Sequence, residues 1–524
     1  MEISQALNFI DFSVIVLYII ALLSLGFWVS FRDRHTDDLF LAGRSLKWPN
    51  IGLSIFGTNV SPSMMISSAG VAYASGMVAS NMEWLAWWFL MLLAMVFVPH
   101  YMNTNISTMP EFLEKRFSPT CRTYLSCYTL FATIVLWLGG TLYAGGLLLS
   151  QIMGWPIWIS IVFLVIIATS FTITGGLAAV VITDSFQSIL MILASTILTI
   201  IAFVKIGSFE KLVTSVPEDY WTLLRPADDP KFPWYAVLLG YPVGGIWFWC
   251  TDQTIVQRVL GGKNAREGQL GCVFAAFLKI IVPFIFFVPG IMCKVLHPNL
   301  EDADKAYMTM VTTYLPHGMI GLIVSVLIAA LISTVDSGLN SLSTVFTLDI
   351  YCKIFKPDST QLQRKRIGQV VTFAGALIAI AVSLSIAKIP DKNLFEKLLS
   401  IIQFLSPPLA AVFIVGVLWR GANKISALLT LIIGSIASVG IGICNLAGWP
   451  SKDFYPHFMF LSFLIFAGLI IFMVVISLIT GKDSGQRFHS LREAMQNTNK
   501  NTKGIWTWWL ILAIIMFTLY LIFN

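Results

Sequence analysis

The chain has 524 residues, 57% of them hydrophobic and 11% charged, with a mean hydropathy of +0.81 and a formal net charge of +6. That balance excludes a soluble globular enzyme, and so small a charge surplus, held in loops, points to neither nucleic acid nor an acidic partner. Apolar runs of about 20 residues, each able to cross roughly 30 Å of hydrocarbon, recur throughout, so residues 1–524 read as one polytopic, all-α membrane domain.

The expected spans begin with Phe12–Ser30, a retained helix without the basic flank and cleavage site of a signal peptide. Leu46–Tyr73, Asn81–Tyr101, Cys121–Met153, Trp155–Thr172, Leu177–Val204, Trp234–Thr251 and Gly268–Cys293 follow. Gly318–Tyr351, Ile367–Ala387, Phe395–Trp419, Ser426–Ala447, His457–Ile479 and Gly504–Phe523 complete a set of about fourteen. Lys and Arg concentrate in alternate loops, among them Arg32–Lys47, Lys115–Arg122, Lys353–Arg366 and Lys482–Lys503. By the positive-inside rule those loops are cytoplasmic, and both termini then face outward. The seven cysteines show no metal-ligand spacing and read as small buried hydrophobes.

The second span is interrupted. Pro62 has no N–H, so the Thr58 carbonyl loses its helical partner, and Gly57 and Gly70 ease unwinding nearby. In hydrocarbon such a carbonyl must meet protein, water or an ion, so the segment is either a kinked packing helix or a mid-membrane cation and solute site. The seventh span carries a second Pro/Gly interruption, Leu239–Gly245. The two interrupted spans each open a five-helix unit, 46–204 and 234–419, and an odd count inverts the second unit against the first. Residues 12–30 and 426–523 are then peripheral.

Ser333, Asp336, Ser337, Asn340 and Thr344 share one face of the ninth span. Hydroxyls and carbonyls suit a hard cation such as sodium, and a carboxylate in the membrane is costly without a partner. Asp184 either faces cytoplasmic water at a helix start or helps to bind a second cation. Glu83 and Trp84 open the third span, and Lys279 lies inside the eighth. Lys279 pairs with an acid, snorkels, or lines a cavity suited to a polyhydroxylated solute. No Arg is expected deep in a span, which disfavours a solute carboxylate clamped by a guanidinium. No GxxxxGK[ST], HExxH or nucleophile elbow occurs, so the chain is not expected to be an enzyme, to pump with ATP or to need a cofactor.

The stretches Phe40–Ser45, Thr172–Ala179, Trp249–Gln253, Ile255–Arg258, Phe346–Tyr351 and Pro407–Phe413 resemble the sodium/solute symporter family, in particular its sodium/glucose cotransporter branch. The resemblance implies a five-plus-five inverted-repeat core like that of the leucine transporter, with sodium-driven uptake of a small solute by alternating access. It places the main sodium site at the carbonyls of Gly57, Val60 and Ala330 and the hydroxyls of Ser333 and Thr334. A second site would use Asp184, Ser333, Asp336 and Ser337. The implied solute positions are Met64, Ser68, Glu83, Trp84, Gly245, Phe248, Trp249, Lys279 and Leu399. Among these, Met64, Gly245 and Leu399 stand where polar side chains bind sugar in the family, and Phe248 stands for a gate tyrosine. A site losing three hydrogen-bonding groups changes its substrate, which favours another sugar, an amino sugar or a polyol over glucose. A solute sensor or sodium-conducting relative, and a proton-coupled transporter using Asp184 and Asp336, remain as alternatives. The expected setting is a plasma or bacterial inner membrane, with the bilayer, the solute and Na+ as partners and no nucleic acid.

Overall fold

The computed structural model describes residues 7–32, 39–388, 394–451, 454–481 and 504–524, with the side chains of Arg32, Ser63, Phe171 and residues 394–400 outside the description. The basic loop expected at 482–503 therefore lies outside the described residues. The described chain is built from helices: α1 (Phe9–Arg32), α2 (Trp48–Asn59), α3 (Pro62–Ser75), α4 (81–103), α5 (Met109–Arg116), α6 (Pro119–Met153) and α7 (Ile157–Ile206). Then come α8 (236–251), α9 (Gln253–Leu260), α10 (Ala265–Leu296), α11 (Met319–Phe355), α12 (Gln361–Ile386), α13 (Leu394–Leu418), α14 (Lys424–Ala447), α15 (Phe458–Thr480) and α16 (Ile505–Ile522). Among the described residues, 11 helical stretches are long and apolar enough to cross a bilayer. Every segment in which the sequence predicts a span is helical, but not every one is long and apolar enough by itself to count as a crossing. Ile157–Ser170 falls short in length, the second segment is divided at Val60 and Ser61, and α8 of the seventh is short and ends at Thr251.

The first interruption forms where the sequence predicts it. α2 ends at Asn59, Val60 and Ser61 are extended (φ −81°, ψ 96° and φ −91°, ψ 159°), and α3 starts at Pro62. Ser61 Oγ accepts from the Met64 amide at 3.1 Å, so Ser61 caps α3 while Pro62, needing no donor, fills its first turn.

The second interruption is displaced. Residues 236–240 wind as a wide π-helical turn before Pro242, and the helix continues through Gly245 to Thr251. The break comes at Asp252, which is extended (φ −71°, ψ 133°) and caps α9 by accepting from the Thr254 amide at 2.8 Å. The same device serves elsewhere: π turns at Leu93–Phe97 and Pro283–Phe287 precede Pro99 and Pro289. A π turn shifts the hydrogen-bond register by one residue, so the carbonyl a proline orphans is absorbed without ending the helix.

α7 joins two predicted spans at Gly176, whose φ of +54° is open only to glycine at low cost. A Cβ there would also lie 2.2 Å from the Leu39 carbonyl oxygen, which accepts from the Leu177 amide at 3.0 Å. At the other end of the bundle Asp11 of α1 accepts from the amides of Gly318 (2.6 Å) and Gly321 (2.8 Å), satisfying the start of α11.

Two apolar cores result. One holds Leu22, Phe56, Val60, Met65, Met191, Phe286 and Ala330, and the other Ile51, Ile55, Phe89, Phe97, Trp249, Ile255 and Phe413. The broken pair α2–α3 contributes to both. Polar side chains collect at this seam.

Candidate functional site

The seam holds a buried charged network at Asp184, on the limb of α7 after Gly176. Its carboxylate is 0% exposed, so the reading of Asp184 as a water-facing helix-start carboxylate does not hold. Asp184 Oδ1 accepts from Ser333 Oγ at 2.5 Å, and Oδ2 accepts from Ser54 Oγ at 2.5 Å and Thr58 Oγ1 at 3.4 Å. Arg258 Nη2 pairs with Oδ2 at 3.1 Å, and the same guanidinium donates to Ser54 Oγ at 2.8 Å, to Ser337 Oγ and to the Thr254 carbonyl. Arg258 is 1% exposed, on α9 just beyond the span expected at Trp234–Thr251, so an arginine is buried in the protein although none was expected deep in a span. The displaced break explains it: with the interruption at Asp252, α9 turns Arg258 inward where the sequence suggests a loop. Its fork is taken up within the protein, so it is not a free clamp for a solute carboxylate.

Of the residues expected to hold sodium, Ser333 and Gly57 lie beside this network. Gly57 packs so closely on α7 that a Cβ would lie 2.5 Å from Ser188 Oγ. Val60 sits at the break, and Ala330 and Ser333 lie fully buried on α11, which packs against α2 and α3. Thr334 Oγ1 donates to the Ala330 carbonyl at 2.9 Å. Because the Ser333 and Thr334 hydroxyls both donate, each keeps lone pairs for a cation. Ser337 Oγ donates to Asp336 Oδ1 at 3.2 Å.

The solute positions divide. Lys279, 1% exposed, donates to Glu83 Oε2 and Asn59 Oδ1, with its ammonium 5.3 Å from the Trp249 ring centroid and 6.0 Å from that of Phe56. Lys279 therefore pairs with an acid instead of snorkelling. Met64 and Ser68 lie in the first two turns of α3, and Phe248 packs beside Trp137 and Trp249 at centroid distances of 5.5 and 4.9 Å. Two expectations change. Trp84 is enclosed by Phe284, Tyr520 and Phe523 and donates from Nε1 to the Ile280 carbonyl at 3.1 Å, so its ring is spent on packing α16 to the core. Gly245 leaves no room for a polar side chain, since a Cβ would meet the Phe89 ring at 2.3 Å. The Leu399 side chain lies outside the described residues.

The sequence reading missed three groups. Asn59 is the last residue of α2 and was hidden as a span residue. Arg258 was hidden by the misplaced break, although an Asp-x-Thr cap before an amphipathic run marks α9. Trp137 Nε1 is buried without a hydrogen-bond partner beside Phe248. Of the cysteines, Cys121, Cys250, Cys272 and Cys293 are buried and free, whereas Cys127 is exposed.

Known proteins resemble the chain over most of its length. The model of the sodium:solute symporter family matches residues 39–434. Sodium/glucose cotransporter 1 of Oryctolagus cuniculus is 31% identical over 552 residues, covering 94% of this chain and 82% of that protein. The sodium/myo-inositol cotransporter of Mus musculus is 31% identical over 528 residues, covering 90% and 73%. Among solved structures, a substrate-bound, outward-open Na+-coupled sialic acid symporter aligns with a TM-score of 0.80 at 23% identity, covering 91% of this chain and 99% of that one. A nucleobase-cation-symport-1 family transporter aligns with a TM-score of 0.53 at 15% identity. These likenesses show the five-plus-five, leucine-transporter-like fold.

Proposed function

The chain belongs to the sodium:solute symporter family, a transporter and not an enzyme, and from that premise we propose that it imports a sugar, amino sugar or polyol together with Na+ by alternating access. In this reading the repeats run 46–204 and 234–419, the chain crosses a cell membrane about fourteen times, and both termini lie outside. Sodium binds at the break of α2–α3, to the carbonyls of Gly57, Val60 and Ala330 and the hydroxyls of Ser333 and Thr334. The free carbonyls at the end of α2 are the negative end of a helix dipole, which favours a cation there. No other cofactor is needed.

The observation that carries the solute reading is the Lys279 site. An ammonium, a carboxylate, the Asn59 amide and the Trp249 face meet within one turn of the sodium-site break. A polyhydroxylated ring gives hydroxyls that donate to Glu83, oxygens that accept from Lys279 and Trp137, and C–H faces that lie on Trp249. The names of the relatives, glucose and myo-inositol cotransporters, support the same class. Apolar Met64 and the occluded Gly245 support a solute other than glucose.

Thermal stabilisation of the purified protein tests this directly, since a ligand at 100 times its Kd stabilises the native state by about 2.7 kcal/mol. A panel of hexoses, amino sugars and inositols is expected to contain a compound that raises Tm in Na+ but not in K+. A rise with amino acids or nucleobases alone contradicts the solute assignment.

A further inference from the structure

A pocket of about 240 Å³ lies on the side that loop charge assigns to the cytoplasm. Its walls come from the loop before α2, the loop before α5, the end of α11 and the start of α12, through Arg44, Ser107, Leu348, Gln361 and Arg364. Leu348 is roughly 20 Å along α11 from Ser333 at about 1.5 Å per residue, so this is not the sodium site. The volume falls below the roughly 300–1,000 Å³ of sites for drug-sized ligands, which suits a small group.

Two guanidiniums line this space without a counter-charge. Arg44 Nη2 donates to the Ile106 carbonyl at 3.0 Å, and Arg364 Nε donates to Ser359 Oγ at 3.1 Å. Each guanidinium carries five N–H donors, so most of each fork is unused. No Asp or Glu is among the described residues lining the pocket. On the same face, by contrast, Arg122 pairs with Asp349 and Glu114, and Lys353 pairs with Glu114.

The backbone around the pocket is held against its own preference. Among the described residues, the non-glycine residues of positive φ are Ala42 (+51°), Arg44 (+52°) and Asn105 (+49°). All three lie in the two loops that wall the pocket. Left-handed backbone in alanine and arginine persists only where the surroundings impose it, and such residues cluster at ligand clamps. Here the Phe40 carbonyl accepts from Gln257 Nε2 at 2.7 Å, and the Leu46 amide donates to the Gly261 carbonyl at 3.1 Å. The wall is set before any ligand arrives, which lowers the cost of binding.

We propose that this pocket binds a phosphomonoester. Its charge of nearly −2 at neutral pH matches Arg44 and Arg364, and its oxygens suit guanidinium forks, with the Ser107 hydroxyl and the Gln361 amide as further donors. A soluble phosphate ester and a lipid headgroup offer the same chemistry. Seated there, the phosphate joins the loop before α2 to the start of α12, one from each proposed repeat. The site is independent of which solute and ion are carried.

Isothermal titration calorimetry of the purified full-length chain in neutral detergent, at fixed ionic strength, tests the site. Glycerol 3-phosphate is the soluble probe, phosphatidic acid in the micelle is the lipid probe, and phosphatidylcholine is the blank. One equivalent of one probe is expected to bind. Saturation by glycerol 3-phosphate assigns a soluble phosphate ester, and saturation by phosphatidic acid alone assigns a lipid headgroup. Arg44→Gln and Arg364→Gln are each expected to weaken binding by about tenfold or more, the scale of losing a charge-assisted bond. Arg366→Gln makes the same change of charge on an exposed neighbour outside the pocket and should leave affinity unchanged. Should Arg44→Gln fail to fold without its bond to the Ile106 carbonyl, Arg364→Gln decides alone. Absence of binding of either probe to wild type overturns the proposal. So does binding that Arg364→Gln leaves unchanged, or that Arg366→Gln weakens equally, which marks a diffuse basic surface.

Discussion

Replacing Arg258 by methionine gives the sharpest test of the buried network. Met keeps much of the volume but removes the charge and the bonds to Ser54, Asp184, Ser337 and Thr254. What remains is Asp184, buried and facing Asp336 with no cation. Breaking one side of a buried pair costs about 3–5 kcal/mol, mostly the penalty of the abandoned charge. Converting Asp184 to asparagine in the same chain removes that charge, so Asp184→Asn/Arg258→Met should be more stable than the sum of the single changes by about 2–3 kcal/mol. Equilibrium unfolding in mixed detergent micelles, with wild type and the three variants in parallel, measures the cycle. A loss under about 1 kcal/mol for Arg258→Met, or additive single effects, refutes the account of Asp184 as internally matched.

Other outcomes follow from the same geometry. Ser333→Ala should raise the sodium concentration needed for half-maximal uptake with little change in solute preference, whereas Glu83→Ala, which strips Lys279 of its carboxylate, should do the reverse; uptake titrations in both ions and solutes separate them. Gly245→Ser should lose folded protein or activity because its Cβ would lie 2.3 Å from Phe89, and Phe89→Ala should restore part of it in a thermal-stability assay. Glu114, on α5 between spans, is opposed by burial, but hydrogen bonds from Lys353 and Arg122 outweigh that and hold its carboxyl below the ordinary range. Its contribution to stability is complete above the unfolded value of about 4.3 and is lost as pH falls through the lower folded value. Acid melting of wild type should therefore be steeper than that of Glu114→Gln below pH about 4.

The fold was legible where chemistry forces the backbone. Ser61–Pro62 can neither continue α2 nor fail to start α3, so the first break could be placed from sequence. Pro242 carries the same signal with a different outcome, because a π turn absorbed it and the chain broke at Asp252 instead. Local sequence does not distinguish these cases; packing around Phe89 and Gly245 does. That error hid Arg258, and with it the reason Asp184 can be buried. Residue type also misled at Trp84: an indole near a solute site suggests stacking, but only tertiary structure brings Tyr520 and Phe523 to its faces. The pairing of Glu83 with Lys279 was half legible, since each charge needed a partner but neither named the other.

Uptake into proteoliposomes tests the central claim most directly. Labelled hexoses, amino sugars and inositols are offered with an inward Na+ gradient, with Na+ equal on both sides, and with K+ replacing Na+. Accumulation of one such compound above its external concentration only under the Na+ gradient is the predicted result. Accumulation indifferent to Na+, or current without accumulation, contradicts it.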